Sequence, residues 1–281
     1  MPPEKQKQTT MTTGKTSVFT PIAQAQKRLG VKCLLWGPAG VGKTFAALSF
    51  PEPIKVLSTE YGVSQLGHHY PGKNIEILEC AEAYTDPPVD AAGKEIETPF
   101  VTDPLKSLEL LDMGVQACRD MTEGTIIIDS VTDVWSWLGA WIKLTAVMHQ
   151  SKSSGKDYMM RTDWQEANAK YKVILMRLLS RPCNVVFTAR SGVVYDGTGN
   201  VTAETKPKCQ QETPYFMDIV AQMSEAPKVD TKSGMITGNS VRTSTITKCR
   251  FTDVGSMTIE DLTYDKLKSA LKPLVPAEVF G

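Results

Sequence analysis

Eight consecutive residues, Gly37-Pro38-Ala39-Gly40-Val41-Gly42-Lys43-Thr44, restrict what this chain can fold into more than any other stretch of it. The pattern G-x-x-x-x-G-K-[ST] requires a strand before it and a helix after it. Its glycines let successive backbone N–H groups turn inward around an anionic group, and the helix presents its N-terminus to the same charge. Both neighbours are present: Val31 to Trp36 is a mostly apolar run that predicts a strand, and Lys43 to Phe50 is an Ala-containing segment that predicts a helix. In that setting Gly37, Gly40 and Gly42 supply backbone freedom. Lys43 is placed to reach the β and γ phosphates of a nucleotide, and the Thr44 hydroxyl to ligate Mg²⁺.

The rest of the chain fits one large α/β domain. Short β-branched runs (Ile54 to Ser58, Ile75 to Leu78, Thr125 to Asp129, Asn184 to Thr188, Ile219 to Met223, Thr243 to Thr247) alternate with helical patterns, which predicts a mostly parallel central sheet flanked by helices. Asp103-Pro104 caps a helix with an apolar stripe through Leu105, Leu108, Leu111, Val115 and Cys118; a second helix runs from about Val131 to Met148, and a third follows Asp163. Residues 1–16 are polar and predict a flexible tail, 17–255 the main domain, and 256–281 an extension with a short helix capped by Thr263.

Lys plus Arg equals Asp plus Glu, so nothing in the overall charge advertises a polyanion or a membrane surface. Six scattered cysteines without a C-x-x-C pair argue against a disulfide framework or a zinc site, and fit reduced thiols in a cytoplasm. No apolar run approaches the roughly 18 residues that span a bilayer.

A metal held by Thr44 needs a second anchor. Asp129 ends the run Thr-Ile-Ile-Ile-Asp, on a strand expected beside that of the phosphate loop, and fits this role; the alternative is a cap for the helix starting near Ser130. The residue after Asp129 is a serine, so a catalytic base must come from elsewhere. Leu57-Ser58-Thr59-Glu60 closes another strand, and Glu60 there would overlook the γ-phosphate; a solvated strand-end glutamate is the alternative.

The phosphate loop, the Ser-Thr-Glu strand end, Asp129-Ser130-Val131 and Lys248-x-Arg250 together resemble, in order, the RecA-like ATPases, including the compact phage members of the Sak single-strand annealing type. The resemblance implies a RecA-like fold, ATP and Mg²⁺ as ligands, Glu60 as the residue that polarises water, and Thr188 or Arg190 as a γ-phosphate sensor. In KaiC-like and DnaB-like members a K-x-R pair completes a neighbouring subunit's site. Lys248 and Arg250 would do so in a ring or filament, the alternative being an exposed basic strand edge.

Two polar stretches, 150–161 with Lys152, Lys156, Tyr158 and Arg161, and 190–208 with Arg190, Tyr195, Lys206 and Lys208, fall where RecA-like recombinases carry DNA loops. Basic residues around an aromatic can track and stack a single strand; a solvated charged loop is the other reading. The expected function is Mg²⁺-dependent ATP hydrolysis on single-stranded DNA. Its rivals are a KaiC-like regulatory ATPase or ring motor, and a nucleotide-gated scaffold with little turnover.

Overall fold

The structure is a computed structural model describing residues 30–97, 101–148, 163–229, 236–274 and 280. The expected tail, 1–16, and the first polar stretch, 150–161, lie outside the described residues.

The strands are β1 (Lys32–Gly37), β2 (Ile54–Ser58), β3 (Ile75–Glu79), β4 (Thr125–Asp129), β5 (Asn184–Tyr195), β6 (Val201–Pro207), β7 (Ile219–Val229), β8 (Ile236–Cys249) and β9 (Met257–Glu260). The helices are α1 (Lys43–Leu48), α2 (Pro104–Ala117), α3 (Val131–Met148), α4 (Asp163–Leu179), α5 (Thr213–Phe216) and α6 (Tyr264–Leu271). One sheet runs β3-β2-β4-β5-β1-β7-β8-β9, with β6 paired to β5 outside this path. Its first six strands are parallel and β8 and β9 return antiparallel, which is the mostly parallel α/β sheet expected.

Side chains alternate across the strands, so the central strands feed two cores. Leu34, Ile126, Ile128, Val185 and Phe187 face α2, α3 and α4; Cys33, Leu35, Ile127, Val186 and Ala221 face α1 and α6. β1 and β4 are buried along their whole length, which is why they read as continuous apolar runs rather than alternating ones. The Asp103 carboxylate caps α2 by accepting from the N–H groups of Leu105 (3.0 Å) and Lys106 (3.2 Å). On α3, Trp137 is buried, its indole N–H donating to Thr102 Oγ1 at 3.1 Å.

Three expectations change. β4 is not beside β1: β5 lies between them, with Val185 paired to both Lys32 and Ile126. Residues 191–207 are not an irregular loop but an antiparallel ribbon, β5 continuing to Tyr195 and β6 returning, with Tyr195 opposite Val201. β7 and β8 likewise extend beyond the runs expected for them and pair from Ile219–Cys249 out to Val229–Ile236. Strands exposed on both faces need no apolar alternation, so β6 and residues 224–227 of β7 left no hydrophobic period to read.

Residues 257–271 complete the same sheet and core. β9 pairs with β8 from Thr243–Glu260 to Ile246–Met257. Tyr264 packs its ring 5.0 Å from that of Phe50, and Thr263 caps α6 by accepting from the Lys266 N–H.

Candidate functional site

The carboxyl ends of β1, β2, β4 and β5 converge, and the phosphate loop leaves β1 among them. Gly40 and Gly42 have φ of +80° and +88°, where a side chain is strained. Gly37 is constrained by space instead: a Cβ there would stand 2.2 Å from the Met223 carbonyl oxygen of β7. α1 starts at Lys43 with no side chain capping its first turn, the arrangement that leaves backbone donors for an anion. Lys43 folds back over the loop, its Nζ donating to the carbonyls of Gly37 (3.1 Å) and Pro38 (2.6 Å). Burial draws its pKa down, against the opposing pull of Asp129 and Glu60.

Asp129 receives two hydroxyls. Thr44 Oγ1 donates to its Oδ2 at 2.6 Å, and the Thr188 hydroxyl donates to its Oδ1. Burial pushes its carboxyl pKa up, opposed by those two hydrogen bonds. The interposed β5 is what brings Thr188 to Asp129, so Asp129 meets the phosphate loop through the Thr44 side chain rather than through strand pairing. Among the described residues no group of three or more His, Cys, Asp or Glu can hold a metal ion. An adjacent hydroxyl and carboxylate suit Mg²⁺, which takes one or two protein oxygens and the remainder from water and phosphate.

Glu60 stands just beyond β2. One of its oxygens, Oε1, accepts from Arg190 Nε (3.1 Å) and Nη2 (2.8 Å), and the same Nη2 donates to Asp133 Oδ2 at 2.9 Å. Asp133 also accepts from Thr59 Oγ1 (2.9 Å) and Ser130 Oγ (3.1 Å), while the Ser130 N–H donates to Thr59 Oγ1 at 2.7 Å. A single guanidinium thus ties β2, the first turn of α3 and the base of the β5–β6 ribbon. Burial works against its charge, but Asp133 and Glu60 outweigh that and hold the Arg190 pKa above its ordinary value.

These groups line one cavity of about 520 Å³, containing Gly40, Gly42, Lys43, Thr44, Glu60, Asp129 and Arg190, with Phe45, Leu66 and His69 along one side and Arg242 of β8 along another. A larger hollow of about 820 Å³ lies elsewhere, between α2, α3 and α4, and contains none of them. Asp133 and Arg242 were not found from sequence. Asp133 lies one turn after Asp129, a spacing that could have flagged it; Arg242 sits within a strand and nothing local marks it.

Lys248 and Arg250 lie away from this cavity. The Arg250 N–H donates to the Asp218 carbonyl, and the Asp218 N–H to that of Lys32, which puts Arg250 level with the first residue of β1. Lys248 Nζ donates to the carbonyls of Pro214 (2.8 Å) and Tyr215 (3.0 Å), and Arg250 pairs with Asp218 at 2.9 Å. Within one chain both cations are therefore engaged with the end of α5 and the start of β7.

No curated protein matches the sequence. Among solved structures, a crystal structure of the RadB recombinase is similar with a TM-score of 0.42 and 12% identity, over 83% of this chain and 87% of that one. A family model described as an AAA domain matches residues 29–251, most of the chain and all of the cavity described above. By that match, and with its phosphate loop in place between β1 and α1, the chain belongs to the AAA domain family of P-loop ATPases.

Proposed function

We propose that this protein is a Mg²⁺-dependent ATPase of the RecA-like class that acts on single-stranded DNA in recombination, annealing or replication, working as a ring or filament. The observation that carries the reading is the meeting, in one cavity, of the phosphate loop, the Thr44–Asp129 oxygen pair and the Glu60 carboxylate.

In this reading the loop from Gly37 to Gly42 cradles the phosphates, and Lys43 exchanges its two carbonyl partners for phosphate oxygens. Thr44 and Asp129 would hold Mg²⁺, which supplies charge neutralisation of the polyphosphate when bound. Thr188 keeps the Asp129 carboxylate oriented. Glu60 keeps Oε2 free of Arg190 and accepts a hydrogen bond from the attacking water through it. Arg190 senses the state of the site because it holds Glu60 on one side and continues into the β5–β6 ribbon on the other. Lys248 and Arg250 serve a neighbouring subunit, and the ribbon contacts DNA.

ATP hydrolysis by the purified protein, measured with Mg²⁺ and with or without single-stranded DNA, tests this with Lys43→Ala as the blank. Lys43-dependent turnover stimulated by DNA is expected. Lys43-dependent turnover indifferent to DNA moves the protein to the regulatory or motor class. Nucleotide binding without turnover makes it a scaffold.

A further inference from the structure

We propose that Arg242 is a phosphate-binding residue of the nucleotide site, delivered in cis from β8 onto the flank of the phosphate loop; the inference rests on the nucleotide reading given above. Its Cδ and Nη1 each lie 3.5 Å from the position a Cβ on Gly42 would take, so the side chain already packs along the loop. It lines the same cavity as Lys43, Thr44 and Asp129.

The other cations there are compensated. Arg190 is paired with both Glu60 and Asp133, and Lys43 lies within the influence of Asp129 and Glu60. Arg242 has no carboxylate within salt-bridge reach among the described residues. The acid directly across the ladder from it is Glu225 of β7, and Glu225 accepts instead from the Ser240 hydroxyl. The cavity is thus lined by three cationic side chains, Lys43, Arg190 and Arg242, against two carboxylates, Glu60 and Asp129. The excess charge is a guanidinium, whose planar fork suits two phosphate oxygens at once.

The backbone at this point is well anchored. Arg242 pairs with Glu225 on one side, and its carbonyl accepts the Asp261 N–H at 2.8 Å on the other. A fixed backbone with an exposed, uncommitted side chain can meet an incoming polyphosphate without rearranging the sheet. It also gives β8 two separate tasks, Arg242 midway along the strand at its own chain's phosphate loop and Lys248 near the strand's end, away from that loop.

The test is equilibrium binding of fluorescently labelled ATP, and its displacement by inorganic tripolyphosphate, for the wild type, Lys43→Ala, Arg242→Ala and Arg242→Lys. Arg242→Ala is expected to weaken ATP and tripolyphosphate alike by about tenfold or more, with Arg242→Lys intermediate because it keeps the charge but loses the fork. Wild-type affinity for both ligands in Arg242→Ala, with Lys43→Ala weakened, overturns this inference alone. A loss confined to ATP, with tripolyphosphate unaffected, overturns the phosphate assignment in favour of a base or ribose contact. A wild type that binds neither ligand overturns the nucleotide reading itself.

Discussion

Arg190 directs two of its donors, Nε and Nη2, at one oxygen of Glu60, 130 residues away in sequence. Both side chains are 44% exposed, so the pair contributes at most about 1 kcal/mol to stability, and its larger role is to set the direction of the Glu60 carboxylate. Replacing Arg190 by Ala should lower the Tm by only a degree or two, yet reduce kcat about tenfold with little change in KM. Glu60→Gln should reduce kcat by about 10²-fold or more, the range for losing a positioned base. Steady-state kinetics on the two single variants and the double variant check this. If the pair acts together, the double variant should lose little more than Glu60→Gln alone.

The glycines of the loop should separate by mechanism. A Cβ on Gly37 would lie 2.2 Å from the Met223 carbonyl oxygen and 3.0 Å from its carbon, both backbone atoms of β7. Gly37→Ala must therefore push β1 away from β7, costing about 1–3 kcal/mol or more. Nothing lies within 4 Å of a Cβ on Gly40, whose cost comes from its φ of +80° alone, about 1–2 kcal/mol. Urea unfolding of both variants without nucleotide should show Gly37→Ala as the less stable, while both weaken ATP binding.

What was legible in the sequence was what is local. Gly37 to Thr44, the cap at Asp103 and the Thr-Ile-Ile-Ile-Asp strand each carry their signal within a few residues. The ties between Glu60 and Arg190, and between Asp129 and Thr188, depend on the order of strands in the sheet. Expecting β4 beside β1 hid the role of β5, which delivers Thr188 to Asp129 and Arg190 to Glu60. The ribbon escaped for another reason. Asp196-Gly197-Thr198-Gly199 is a turn signal, but the strands on either side have no buried face to impose a period that would mark them as strands.

The ribbon carries the prediction about DNA. Val193 and Tyr195 of β5 and Val201 of β6 are exposed, Tyr195 at 60%, with Tyr195 directly opposite Val201. If the ribbon contacts DNA as proposed, its exposed aromatic would stack a base, and stacking contributes about 1–3 kcal/mol per base. Tyr195→Ala should weaken single-stranded DNA binding by that amount and diminish DNA-stimulated hydrolysis, leaving turnover without DNA unchanged. Fluorescence anisotropy with a labelled oligonucleotide, set against ATPase rates, distinguishes this from a general loss of activity.

If Lys248 and Arg250 complete a neighbour's site, a defect in either can be rescued by mixing. A Lys43→Ala chain keeps both basic residues, and a Lys248→Ala,Arg250→Ala chain keeps its phosphate loop. Each should be inactive alone. Random head-to-tail assembly of equal amounts should place an intact pair beside an intact loop at about one interface in four, restoring about a quarter of wild-type hydrolysis. An inactive mixture would confine both residues to the contacts they make within one chain, with Pro214, Tyr215 and Asp218.

The buried thiols should make the fold less stable as the pH turns alkaline. Burial pushes the Cys118 and Cys209 thiols up to about 11 and that of Cys80 to about 12, from an ordinary value of 9.0. A folded pKa raised above the unfolded one adds stability that is complete below the unfolded value and is lost as pH rises through the folded value. Between about pH 9 and pH 11 the unfolded chain releases thiol protons that the folded chain retains, so stability should fall steadily across this window. Denaturant unfolding at half-unit pH steps should show the decline, and Cys118→Ala should make it shallower while lowering stability at pH 7 through the space it leaves in the core to which Val115 and Ile126 also belong. Thiol labelling at pH 8.5 gives a second readout: Cys33, Cys80, Cys118 and Cys183 are buried and should react with a disulfide reagent only as fast as the protein opens, and at the rate of a free thiol once it is unfolded.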